Sequence, residues 1–208
     1  MATLDEIASA LEELRRELRS QGLSVSLGEV NWTYDHDSKH VPATKPAGAV
    51  VMGFNAGAGG VGSEARWRGK CDKLTSGIPG GYMLAELVLI SSFNIAELRT
   101  AHGDVDELIR QCSAVNRAVI GHHKPKVIFQ TGFDHALAVE KTYGLMPVGE
   151  RSVRRPEHPS HTLLKHYVLP DRTPWLAIRH PSSIGFSNRD IEAIRTYAAK
   201  YCDVPLLN

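Results

Sequence analysis

Apolar residues recur along this chain with two different periods. Leu4, Ile7, Leu11, Leu14 and Leu18 follow one another at three- and four-residue spacing, which lays them along one face of a helix. Thr3 with Glu6 three residues later makes the reciprocal cap of that helix, and Gly22 ends it. Further on, continuous apolar runs replace the stripe: Ala49-Val50-Val51-Met52 opening a strand over about 49–54, Leu87-Val88-Leu89-Ile90, Val127-Ile128-Phe129 within 126–132, and Trp175-Leu176-Ala177-Ile178. Runs of this length without polar alternation read as strands buried on both faces. Helical spacing returns over about 104–120, where Leu108, Cys112, Val115 and Val119 share a face, then over about 133–143. A last helix starts at the Ser187/Asp190 cap and carries Ile191, Ile194 and Ala198. Leu163 to Val168 is a further strand, placed at a sheet edge. Residues 31–48, with Pro42 and Pro46, read as a surface loop. Residues 57–82 hold eight glycines and read as a long irregular segment of the kind that carries function.

Strands alternating with helices predict an α/β fold of three layers, α/β/α, around a mostly parallel four-stranded sheet. At 208 residues the chain can bury its own core, and one domain over 1–208, with its core at 49–200, is expected. Apolar residues make up 42% and charged residues 23%, as in globular proteins. No apolar run approaches the roughly 18 residues of a membrane span. The N-terminus lacks a basic start followed by an apolar leader, so a cytoplasmic protein without membrane partners is expected. Cys71, Cys112 and Cys202 are dispersed and odd in number, which excludes a disulfide framework and four-cysteine metal or iron–sulfur sites. Among ten histidines, the pairs His36/His40, His122/His123 and His158/His161 lack a completing ligand set, so no metal is expected. Net charge is only +1, yet Arg66, Arg68, Lys70 and Lys73 form one basic cluster and Arg151, Arg154 and Arg155 another. Two clusters beside one site tilt the reading toward a polyanion.

The stretch Gly53-Phe54-Asn55-Ala56-Gly57-Ala58-Gly59-Gly60-Val61-Gly62 has five glycines in ten residues and follows a strand. It can cradle a phosphate or wall a pocket around Asn55. Gly57 to Gly62 matches the dinucleotide pattern G-x-G-x-x-G. Two of that pattern's partners are missing from the reading: a helix at its end, and an acid closing the next strand, since Glu86 begins that strand. His180-Pro181-Ser182-Ser183-Ile184 follows another strand. Asn55, Asn94 and His180 therefore all come just after strand C-termini, the edge at which open α/β sheets bind ligands.

Gly53-Phe54-Asn55-Ala56-Gly57, Leu89-Ile90-Ser91-Ser92-Phe93-Asn94 and His180-Pro181-Ser182-Ser183-Ile184 together resemble the three motifs of the uracil-DNA glycosylase superfamily, in its order and spacing. The likeness runs over residues 49–200 and is nearest to the mismatch-specific and single-strand-selective monofunctional branches. Ala56 and Ser183 stand where that family commonly has proline. The resemblance implies a cofactor-independent, monomeric DNA glycosylase that excises uracil or a 5-substituted pyrimidine from flipped DNA, in base excision or in defence against modified phage DNA. It implies that His180 donates to the departing base and that Asn55 holds the attacking water. It gives Asn94 the reading of the pyrimidine edge, with Gly53, Phe54, Phe93 and Gly57 lining the pocket. Where uracil-restricted relatives have tyrosine, Gly57 leaves room beside C5. Ser182, Ser183, Arg66, Arg68 and Arg179 would meet the DNA backbone, and Ile184, helped by Phe186, would fill the vacated stack. Trp67 or Phe93 is the aromatic available to stack on the base. The alternatives are an NAD(P)-binding oxidoreductase using the glycine loop and a modified-DNA-binding protein that does not cut.

Overall fold

A computed structural model describes residues 3–21, 47–57, 61–92 and 95–204; the side chains of 4, 55–57, 61–66, 91–92 and 149–151 lie outside the description. The predicted surface loop at 31–48 falls outside it except for Ala47 and Gly48. The elements in chain order are α1 (Leu4–Ser20), β1 (Ala49–Gly57), α2 (Val61–Thr75), β2 (Tyr82–Ser92), α3 (Ile95–His102), α4 (Val105–His123), β3 (Val127–Thr131), α5 (Ala136–Tyr143), β4 (Met146–Arg154), β5 (Thr162–Val168), β6 (Pro174–Ile178) and α6 (Asn188–Tyr201).

The strands form one sheet in the order β2-β1-β3-β6-β5-β4. The first four are mutually parallel. β5 then runs antiparallel to β6, and β4 antiparallel to β5. The fold is thus α/β with a mixed six-stranded sheet, where four mostly parallel strands were expected. The difference is the β4–β5 hairpin: β5 is interior, not an edge, because β4 covers it. β4 itself, Met146-Pro147-Val148-Gly149-Glu150-Arg151-Ser152-Val153-Arg154, has too few apolar residues to announce a strand, as befits a charged edge.

Strand alternation divides two cores. Val50, Met52, Ile128 and Trp175 face a layer built by α1, α3, α4 and α5. Ala49, Val51, Phe129, Leu176 and Ile178 face a layer built by α2 and α6. The stripe Ile7, Leu11, Leu14 and Leu18 of α1 is buried. Its capping box forms as predicted, the Glu6 amide donating to Thr3 Oγ1 at 3.2 Å and the Thr3 amide to Glu6 Oε2 at 2.6 Å. No described helix is long and apolar enough to cross a membrane.

The largest departure from the sequence reading is α2, a fifteen-residue helix where an irregular segment was expected. Gly62 and Gly69 each weaken a helix by about 1 kcal/mol relative to alanine. Burial of Cys71 and Leu74 against the sheet outweighs that penalty, because helices in proteins owe most of their stability to packing.

Candidate active site

β1 feeds through α2 into β2 on one side, whereas β2 feeds through α3 and α4 into β3 on the other side of β1. The sheet therefore reverses its winding between β1 and β3, and a crevice opens outside the strand C-termini at such a point. β1 and β2 end at that edge with Gly57 and Ser92, and residues 132–135 after β3 and 179–187 after β6 lie on it; the His180 motif falls on the last of these.

His180 is half-buried. Its Nδ1 lies 3.2 Å from the backbone amide of Ser182 and 2.6 Å from Ser182 Oγ. An amide only donates, so Nδ1 accepts, and the neutral ring carries its proton on Nε2. Burial holds the His180 pKa below its ordinary value of 6.5; nearby Asp134 opposes this and Lys70 reinforces it. The site thus presents a neutral imidazole with one N–H donor at neutral pH. This geometry corrects the reading of Ser182 as a phosphate ligand: both its donors are engaged by the imidazole it orients. The Ser183 amide donates to the His180 carbonyl at 2.9 Å, and the Phe186 amide to the Ser183 carbonyl at 3.0 Å, folding the segment into successive turns.

Two cations brace those turns from different elements. Lys70 Nζ on α2 donates to the Pro181 carbonyl at 2.5 Å, lies 3.5 Å from the Phe186 carbonyl, and sits 5.4 Å from the centroid of the Phe186 ring. Arg155, at the end of β4, donates from Nε to Asp190 Oδ1 at 3.2 Å and from a terminal nitrogen to Asp190 Oδ2 at 2.8 Å, and also to the Gly185 carbonyl. Both side chains of that pair are buried. Burial pushes the Asp190 carboxyl upward, but Arg155 and the Ser187 amide and hydroxyl outweigh it and hold the carboxyl below 3.8. Arg155 is thus an internal brace and no part of a free basic patch.

Ile184 stands at the turn's crest, 96% exposed. Phe186 is 7% exposed and packs into the α2/α6 core; the expectation that it helps Ile184 at the surface is corrected, since its ring anchors the turn from beneath. Arg68 is half-buried on the face of α2 that carries buried Cys71 and Thr75, and its charge is felt by Cys71 and Tyr82. Arg179 is half-buried just after β6, its amide donating to the Leu163 carbonyl at 2.8 Å.

On β1, Gly53 pairs with Glu86 of β2, and a Cβ at Gly53 would lie 2.1 Å from Glu86 Oε2. Its lack of a side chain admits that carboxylate and not a base, which corrects its place in the pocket. Phe54 packs against the α1/α4 core, and His135 stacks on its ring at 5.3 Å and 30°. It therefore backs the site from within instead of offering a face to a base. The backbone of Asn55 pairs with Val88 and that of Gly57 with Ser92; their side-chain environment, the side chain of Arg66, and all of Phe93 and Asn94 lie outside the described residues.

Sequence reasoning missed Asp134 and His135. His135 adopts a left-handed backbone, φ 55°, and its Nδ1 contacts Asp106 near the start of α4. An isolated Asp-His after a strand carries no signal by itself; only the sheet order brings it beside β1. The three cysteines are buried, and burial raises the thiols of Cys112 and Cys202 to about 12, so none is a nucleophile at neutral pH. Among the described residues no three His, Cys, Asp or Glu side chains converge as metal ligands; His36 and His40 lie outside them.

No family model matches the sequence, and no curated protein matches it. Among solved structures, the chain is similar to a domain of unknown function (DUF1537) from Bordetella bronchiseptica, crystallised with bound citrate as a domain-swapped dimer. Identity is 15% and the TM-score 0.37, with 80% of this chain and 44% of that one covered. The chain spans less than half the length of that protein, and a likeness this distant carries no argument about function.

Proposed function

We propose that the protein is a monofunctional DNA glycosylase acting on a flipped uracil or 5-substituted pyrimidine. The observation that carries this reading is the imidazole of His180, neutral and with its single N–H donor fixed by the Ser182 amide. Glycosidic cleavage builds negative charge on the departing base, and a donor preorganised in a half-buried site stabilises that charge. Water supplies the oxygen that replaces the base at the sugar. Asn55 positions it, because an amide cannot take its proton. As the glycosidic bond breaks and the sugar–oxygen bond forms, that proton passes through solvent to the released base anion. Asn94 reads the base edge with one donor and one acceptor. Gly57 leaves the C5 side of the pocket open, and exposed Ile184 enters the stack that the base has left. No cofactor takes part in these steps.

One observation favours a second reading. α2 begins at Val61, so the Gly57–Gly62 run does join a strand to a helix, as the dinucleotide pattern requires. Against it, β2 closes on Ser91-Ser92, with no acid for a ribose.

The deciding experiment incubates the protein with oligonucleotides carrying uracil, hydroxymethyluracil or bulkier 5-substituted pyrimidines and reveals abasic sites by alkaline cleavage. Excision that is lost in Asn55→Ala and His180→Ala supports the glycosylase. Saturable NAD(P) binding without abasic product overturns it. DNA affinity without product points to a binding protein.

A further inference from the structure

A groove of about 450 Å³ runs between α2 and the turn that follows β6, lined by Trp67, Lys70, Lys73, Pro181, Ser182 and Asn188. No carboxylate lines it. Where the groove continues along α6, Asp72 and Glu192 join Lys73 and Arg195; Lys73 and Asn188 line both stretches, and the stretch beside Ser182 is the one free of carboxylates. Lys73 gives one hydrogen bond, to Asn188 Oδ1 at 3.2 Å; an ammonium has three donors. The Asn188 amide nitrogen sits in the first turn of α6, the positive end of that helix dipole. Trp67 and Pro181 supply an apolar wall.

We infer that this groove binds the nucleotide next to the excised one, its phosphate at Lys73 and Asn188 and its sugar or base against Trp67 and Pro181. The inference rests on the glycosylase reading and deepens it. Ser182, which orients His180, also lines this groove, so a strand with its target base at His180 has the groove beside it. This groove adjoins Ser182 and carries two lysines. Lys73 thus adds a backbone contact that sequence reasoning did not assign.

The test uses the full chain and single-stranded oligonucleotides bearing one target base, with binding measured from 50 to 200 mM salt. One lost phosphate contact on a single strand lowers the slope of log affinity against log salt by about 0.7, so Lys73→Ala should lose about 2.6-fold less affinity than wild type across that range. A single neutral methylphosphonate beside the target base should weaken wild type at one position only, and Lys73→Ala not at all at that position. Trp67→Phe should keep the slope. A Lys73→Ala protein with unchanged slope and undiminished sensitivity to the neutral linkage overturns the inference, and intact excision in the same samples leaves the glycosylase standing. The expected slope change without any abasic product keeps the groove and removes the glycosylase.

Discussion

Lys70→Met removes a charge while keeping most of the side chain's length, and the structure says what should follow. The ammonium makes one strong bond to the Pro181 carbonyl at 2.5 Å; its second, at 3.5 Å, adds little. A bond from a charged donor contributes about 1.5–3 kcal/mol net, and this one, half-buried, belongs at the low end. The cation over Phe186 at 5.4 Å adds about 0.5 kcal/mol. The total is about 2 kcal/mol, which for a chain of this size lowers Tm by about 4–8 °C if the turn and the core unfold together. If the turn opens alone, Tm holds and amide exchange at Phe186 quickens instead. There is a second, independent readout. Lys70 helps to hold His180 below its ordinary pKa, so its removal raises that pKa. Protonation takes Nδ1 away from the Ser182 amide, so single-turnover excision should fail on acidification, and in Lys70→Met it should fail at a higher pH than in wild type. Lys70→Arg keeps the charge and should restore the acid limb whether or not it restores Tm. A Lys70→Met protein with wild-type Tm, wild-type exchange at Phe186 and an unmoved acid limb would refute the brace.

Asp134→Asn perturbs the same imidazole with the opposite sign. Removing the carboxylate that raises the His180 pKa should carry the acid limb of the rate profile further into acid. Ile184→Ala should leave Tm unchanged, because the side chain is 96% exposed, while excision from duplex DNA falls more than excision from single strands. Gly185 has φ +75°, so Gly185→Ala should cost about 1–2 kcal/mol of stability, read by urea unfolding. Gly69 lies mid-helix with nothing within 4 Å of a Cβ built on it; Gly69→Ala should stabilise the chain by about 1 kcal/mol in the same assay.

The parallel core of the fold was legible because strands covered on both faces must be apolar throughout, as 49–52 and 175–178 are. Both helix caps were legible because Thr3/Glu6 and Ser187/Asp190 are local devices. α2 was hidden because its glycines speak for a loop while the packing that overrules them is tertiary. β4 was hidden because an edge strand has no need of an apolar pattern. That His180 and Ile184 follow a strand C-terminus was legible from the apolar run at 175–178 that leads into them. The roles of Ser182, Lys70 and Arg155 were not: each depends on a partner atom that only the folded chain brings near. Phe54 and Phe186 were misplaced for a related reason, since residue type gives no direction to a side chain at a strand end or in a turn.

The Arg155–Asp190 pair joins the end of β4 to the start of α6 and fastens the Gly185 carbonyl on the way. The motif at 180–184 is therefore not portable. A chimera that grafts residues 174–191 onto another α/β sheet would carry the histidine and its serine but leave the Asp190 carboxylate without its cation, unless a hairpin bearing an arginine travelled with it. Residues 146–168 thus help to hold the 180–184 turn, and a search pattern for chains of this kind should require the arginine about 25 residues before the histidine.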